Sequence, residues 1–166
     1  AMNIVSVSED GNPHARIVLL RQADDSGFTF FTNYNSGKGK HWSKNPKAAA
    51  TFFWPSLYRQ VRIEGNIEKI SREESVQYFD SRPLESRISA IVSPQSSIIP
   101  SADWLMEQFS NLAALGEKNI ICPDHWGGYI LKPVFFEFWL GKPYRLHDRI
   151  EYNLQDKEWK ISRLAP

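Results

Sequence analysis

Gln60-Val61-Arg62-Ile63-Glu64-Gly65-Asn66-Ile67-Glu68 alternates apolar or small residues with polar ones without a break. A period of two marks a strand buried on one face, which sends Val61, Ile63, Gly65 and Ile67 to a core and leaves Gln60, Arg62, Glu64, Asn66 and Glu68 wet or lining a site. Upstream, Ala48 to Trp54 reads as a buried strand, and Ser36 to Asn45 as a short helix capped by Ser36 and closed by Pro46. Further back, Asn3 to Ser8, His14 to Arg21 and Phe28 to Thr32 are extended runs separated by the turn signals Glu9 to Pro13 and Asp24 to Gly27. Together they predict a locally paired antiparallel meander. Downstream, Ser71-Arg72-Glu73-Glu74 is a capping box opening a helix to about Asp80. Pro83 starts a second helix carrying Ile88 and Ile91, and Ser101 caps a third, holding Trp104, Leu105, Phe109 and Leu112, that Gly116 ends. Gly127 to Leu131, Val134 to Leu140, Tyr144 to Tyr152 and Trp159 to Leu164 return to strands. Strands, helices, strands is the expected order: a mainly β protein with helices (α+β), antiparallel, in one domain over residues 1–166.

Composition narrows the function. The chain has 166 residues, 42% of them hydrophobic, enough for a single sizeable core. Twenty basic and nineteen acidic side chains leave a net charge of +1, which argues against nucleic acid as a partner and requires any cationic site to be local. One cysteine, Cys122, rules out an internal disulfide framework and fits a reducing compartment, so a cytoplasmic location is expected. No apolar run approaches the roughly eighteen residues of a spanning helix, so no membrane partner is expected. Neither a dinucleotide fingerprint, a P-loop, a zinc-protease helix nor a nucleophile elbow is present, and four scattered histidines predict no metal site.

Three constellations could carry chemistry. Arg16 and Arg21 bracket Ile17-Val18-Leu19-Leu20, with Lys38, Lys40, Lys44 and Lys47 following. Arginines beside a buried run are costly without an anion, and their planar fork suits phosphate, whereas Lys40, Lys44 and Lys47 read as a solvated helix face. Tyr78 and Arg82, four residues apart with Ser86 four further on, could clamp a phosphate ester, although on spacing alone an ordinary surface pair is favoured. Arg145, His147 and Arg149 would share one face of a strand, open to two readings: an anion site near the stacking surface of Trp139, or a solvated face.

The strings in which these residues sit are themselves distinctive. Arg16-Ile17-Val18-Leu19-Leu20, Phe31-Thr32-Asn33, Phe53-Trp54-Pro55, Arg59-Gln60-Val61, Tyr78 through Pro83, Ser93-Pro94-Gln95-Ser96, Trp126-Gly127-Gly128, Glu137-Phe138-Trp139, Arg145-Leu146-His147-Asp148-Arg149 and Arg163-Leu164-Ala165-Pro166 run in order over the whole chain. In that order they resemble the pyridoxamine 5′-phosphate oxidase family. The resemblance implies a split β-barrel that forms a homodimer, through a C-terminal dimerisation and substrate region at about 122–166, and binds FMN in two clefts between subunits. It implies oxidation of pyridoxamine or pyridoxine 5′-phosphate to pyridoxal 5′-phosphate, with O2 reduced to H2O2. By similarity, FMN would be held by Arg16, Ile17, Val18, Leu19, Leu20, Phe31, Thr32, Lys38, Gln60, Gln95, Ser96, Trp139 and Arg149. The phosphorylated B6 vitamer would be held by Arg21, Tyr78, Arg82, Ser86, Arg145 and His147, the last two also serving as catalytic residues.

Departures from the family pattern carry their own expectations. Arg21 stands where lysine is usual, Gly37 where an arginine contacts the FMN phosphate, Phe31 for a frequent tyrosine and Ser89 for glycine. Ala1-Met2 aligns with the interior of family members, which carry a helical segment over the active site ahead of this point. Two alternatives therefore stand beside the oxidase: a same-fold flavin oxidase of another substrate, of the phenazine-pathway type, or a catalytically impaired flavin- or pyridoxal-phosphate-binding protein.

Overall fold

The alternating stretch lies within the strand that makes the longest pairing of the sheet. In the computed structural model, which describes residues 1–166, the elements are β1 (Met2–Val7), β2 (Pro13–Val18), β3 (Gln22–Asp24), β4 (Gly27–Asn33), α1 (Gly37–Lys44), β5 (Lys47–Trp54), β6 (Arg59–Lys69), α2 (Arg72–Asp80), α3 (Leu84–Val92), α4 (Ala102–Ala114), β7 (Trp126–Leu140), β8 (Asp148–Gln155) and β9 (Glu158–Arg163). Ser36, Ser71 and Ser101 each accept a backbone N–H at the start of α1, α2 and α4, and Ser71 with Glu74 completes the capping box. No helix is long and apolar enough to cross a membrane.

All nine strands form one antiparallel sheet in the order β2-β1-β5-β6-β7-β4-β3, with β8 paired to β7 and β9 to β8. The meander is only half right. Two hairpins form, β1 with β2 and β3 with β4, but β2 and β3 do not pair with each other. They are opposite edges of the main path, joined by Leu19–Arg21 alone. So short a tether between distant edges requires the twisted sheet to curl until they approach, which makes a barrel.

The split in that barrel originates at Pro133. Gly127 to Leu131 and Val134 to Leu140 are one strand and not two, because Pro133 sits at a bulge. Glu64 faces Phe135 while Gly65 faces Pro133, leaving Val134 as the extra residue. Gly65 makes the close approach possible, since a Cβ there would lie 2.1 Å from the Lys132 carbonyl oxygen. Across the bulge β7 also exchanges its other neighbour: Trp126–Leu131 pairs with β4, and Phe135–Leu140 with β8. The β4 branch closes the barrel, while β8 and β9 depart from it.

Residues 144–147 depart from the expected strand as well. Pro143–Arg145 is a tight 3-10 turn with Tyr144 and Arg145 at φ of 60° and 61°, and β8 begins only at Asp148. Pro143 has no N–H to give a ladder, and its carbonyl accepts from Leu146 at 3.2 Å, so the local hydrogen bonds close a turn. Arg145, His147 and Arg149 therefore do not share a strand face.

Met2, Ile4, Phe30, Ala50, Ile63, Tyr129 and Leu131 fill the barrel, and Trp42 of α1 plugs it. Phe79, Ile88, Ile120, Cys122 and Trp126 form a second core beneath α2 to α4. The run after Arg16 is not buried as expected, since Ile17 is 67% and Leu19 56% exposed.

Candidate functional site

A cleft of about 700 Å³ opens where the barrel edge meets the helices. β2 and the connector after it supply Arg16, Ile17, Val18, Leu19 and Arg21; β4 supplies Phe31 and Thr32; α1 supplies Lys38. Gln95 and Ser96 come from the loop after α3, and Tyr78, Arg82 and Trp126 close the far end. Four cations line this cleft and no carboxylate does.

Lys38 is 7% exposed, and its Nζ donates only to Ser36 Oγ at 3.1 Å and Gln95 Oε1 at 3.3 Å. Desolvation, with Arg16 nearby, pushes its ammonium down to about 8. Arg16 donates to Ser6 Oγ at 2.9 Å and the Ile4 carbonyl at 3.3 Å, and burial lowers its proton affinity too. Gln95 Oε1 also accepts from Thr32 Oγ1 at 3.1 Å, which ties the loop to the barrel wall. Next to Gln95, Ser96 is held at φ of 72°, a backbone that a non-glycine residue adopts only when its surroundings impose it.

Tyr78 and Arg82 meet in this cleft by a different route from the one their spacing suggests. The helix α2 stops at Asp80, and Arg82 lies in the turn ahead of Pro83, its N–H bonded to the Phe79 carbonyl. Its guanidinium stands 4.8 Å over the Trp126 ring, its Nη1 is buried without a partner, and burial lowers its proton affinity. Tyr78 stacks on Phe31 with ring centroids 3.9 Å apart, and the Arg21 guanidinium stands 5.6 Å from the Tyr78 centroid. Ser86 lines an adjoining hollow of about 440 Å³ that shares Phe31, Thr32, Arg82, Gln95 and Trp126 with the cleft.

The remaining expected residues lie elsewhere on the chain. Leu20 packs against the barrel core. Gln60 and Trp139, opposite one another on β6 and β7, line a separate apolar hollow of about 540 Å³ with Trp54, Leu57 and Phe138. His147 lies beside them, its ring 4.7 Å from that of Trp139 and its Nδ1 accepting the Lys142 N–H at 3.1 Å. Arg145 is exposed. Arg149 donates from Nε and Nη2 to the buried Glu137 at 2.8 and 3.1 Å, and from Nη1 to the Ala165 carbonyl at 2.9 Å. Those bonds raise the Arg149 proton affinity and hold the Glu137 carboxyl below its usual range.

Of the three flanking lysines, Lys40 and Lys44 are exposed on α1 and Lys47 opens β5, as a solvated face requires. Sequence reasoning missed Trp126, which lines both hollows, and His14 and His41, which line the main cleft. The histidines had a signal: His14 and Arg16 alternate onto one face of β2, and Lys38 and His41 are three apart on α1.

The family model described as "Pyridoxamine 5'-phosphate oxidase" matches residues 1–113, and "Pyridoxine 5'-phosphate oxidase C-terminal dimerisation region" matches residues 126–166. A pyridoxine/pyridoxamine 5′-phosphate oxidase of Pseudomonas fluorescens is 52% identical over all of this chain and 78% of its own length. One from Hydrogenovibrio crunogenus is 49% identical with the same coverage. Among solved structures, PhzG from Burkholderia lata in complex with tetrahydrophenazine-1-carboxylic acid superposes with a TM-score of 0.95 at 26% identity, over 100% of this chain and 82% of its own. A pyridoxamine 5′-phosphate oxidase-related, FMN-binding protein of Nostoc punctiforme shares the fold, with a TM-score of 0.80 at 17% identity over 99% and 86% of the two chains. The barrel, its split at the bulge and two family models that together span nearly the whole chain agree: the chain belongs to the pyridoxamine 5′-phosphate oxidase family.

Proposed function

We propose that the protein oxidises pyridoxamine and pyridoxine 5′-phosphate to pyridoxal 5′-phosphate with FMN as its cofactor. The observation that carries this reading is the pair of cations without a counter-ion in a carboxylate-free cleft: buried Lys38, and Arg82 with its orphaned Nη1. A desolvated cation without a counter-ion is costly, and two of them at separate points fit two phosphates. Arg16 and Lys38 would hold the flavin phosphate, with Gln95 and Ser96 beside them. Exposed Ile17 and Leu19 would face its ring system. Arg82, Tyr78 and Ser86 would hold the substrate phosphate, with Arg21 nearby.

FMN, when bound, supplies the two-electron acceptor that O2 restores as H2O2. For pyridoxine 5′-phosphate the balance is substrate plus O2 to aldehyde plus H2O2; for pyridoxamine 5′-phosphate one water is added and ammonia leaves. The protein's contribution is placement. His147, whose Nδ1 accepts the Lys142 N–H, carries its proton on Nε2 when neutral, so it offers one defined donor toward a ligand. Gln60, Trp139, His147 and Arg149 would complete the cleft from a second copy, with Arg145 reaching over the substrate. The name of the matched C-terminal model and the exposed apolar side chains Phe53, Trp54, Leu57, Tyr58 and Phe138 support a homodimer. The purified protein incubated with FMN and pyridoxine 5′-phosphate in air is expected to be yellow and to form pyridoxal phosphate and peroxide in equal amounts. A colourless protein with no affinity for FMN would overturn the reading.

The likeness to PhzG favours a second reading, oxidation of a reduced phenazine carboxylate. Such a substrate has no phosphate for Arg82, Tyr78 and Ser86, which is why the vitamer is preferred. Turnover of tetrahydrophenazine-1-carboxylic acid without turnover of pyridoxine phosphate would reverse that preference.

A further inference from the structure

His14 and His41 are far apart in sequence, yet the fold sets their rings 4.7 Å apart at an angle of 48°. Both line the cleft that holds Arg16 and Lys38. A short relay ties them to those cations. Arg16 Nη1 donates to Ser6 Oγ at 2.9 Å, and the same buried hydroxyl lies 2.9 Å from His41 Nδ1. A hydroxyl that accepts from Arg16 donates a hydrogen bond to Nδ1 of a neutral His41, which leaves Nε2–H as the ring's one donor. His14 Nε2 lies 3.3 Å from Ser8 Oγ, just past the end of β1.

We infer that His41, backed by His14, is an anion-binding residue of the cofactor cleft, taking up a proton as a terminal phosphate monoester settles beside Arg16 and Lys38. This rests on the FMN reading above. The groups facing His41 are His14 and Arg16 from β2 and Asp10 from the β1–β2 turn, with Lys38 on its own helix. Glu9 is engaged with Lys44 at 3.6 Å. Burial, His14 and Arg16 hold the imidazole below its ordinary range against the pull of Asp10, so it is neutral near pH 7 before a ligand arrives. A phosphate dianion reverses that balance, because opposite charge favours the protonated ring.

Binding that takes up one proton strengthens by at most about tenfold for each pH unit of acidification. The test is titration of the apoprotein with FMN and with riboflavin at constant ionic strength, between about pH 8 and about 6.5, where the flavin phosphate stays largely dianionic. Wild-type protein is expected to gain about tenfold in FMN affinity across that interval. The double variant H14Q/H41Q should gain about threefold less, keeping only the part due to Lys38. Riboflavin, which lacks the phosphate, should show no such rise, and its binding by the double variant reports that the fold is intact. Equal rises for wild type and variant, or an equal rise with riboflavin, would overturn the inference and leave the FMN reading standing. Failure of the wild type to bind FMN at any pH would overturn both.

Discussion

Lys38 has no acidic partner in the cleft, and its burial sets an apoprotein property that can be measured without any ligand. Its folded-state value is about 8 against 10.5 for the free side chain. The unfolded chain therefore binds the proton more tightly, the cost is complete below about pH 8, and stability rises as pH climbs toward 10.5. Removing that cost with Lys38→Met should stabilise the apoprotein by about 3 kcal/mol at neutral pH and abolish its share of the alkaline gain, as read from urea midpoints at pH 7 and 10. Arg82→Ala should raise the substrate KM about tenfold or more with the flavin retained, because it removes a charged hydrogen bond that only the vitamer would use. An unchanged KM would place the substrate phosphate elsewhere. Gly37 offers the converse, since a Cβ there would meet nothing closer than Ser96 Oγ at 3.8 Å. Gly37→Arg should tighten FMN by about one to two decades by restoring a charged contact, checked by fluorescence titration. At this scale the sequence showed which residue types mattered. It could not show that Lys38 is buried while Lys40 is exposed, because that depends on which face of α1 meets the barrel.

The elements were legible wherever local chemistry specifies them. Serine caps marked the starts of α1, α2 and α4, and strict alternation marked β6. The errors fell where a distant partner decides the outcome. Pro133 reads as a strand break, yet β6 opposite absorbs it as a bulge through Gly65. Tyr144 to His147 reads as strand, yet it turns before β8 begins. The bulge makes a sharp prediction. Gly65→Ala should cost about 2–3 kcal/mol in a denaturant titration, since its Cβ would meet the Lys132 backbone and neither strand can yield without losing register. No loss, or the gain of about 0.5–1 kcal/mol usual for glycine to alanine in an unstrained strand, would mean that the bulge is not tightly set.

On the scale of the whole molecule, closure of the barrel follows from the short tether between its edge strands, and no local window of sequence contains that fact. The same holds for the two half-sites. Arg16, Lys38, Gln95 and Arg82 converge in one cleft, whereas Gln60, Trp139 and His147 gather at a separate apolar hollow. Similarity assigned members of both sets to FMN and members of both to the vitamer, and a single chain does not bring them together. A pair of chains could, and co-expression tests this most directly. One copy would carry Arg16→Ala with Lys38→Met, the other Gln60→Ala with Trp139→Ala, each on its own tag so that mixed dimers can be isolated. Each variant alone should retain little FMN, while the mixed dimer has one fully wild-type cleft and should bind one flavin and oxidise pyridoxine phosphate. Mixed dimers as empty as their parents, or a Gln60/Trp139 variant that alone binds FMN as tightly as wild type, would contradict a cleft shared between subunits.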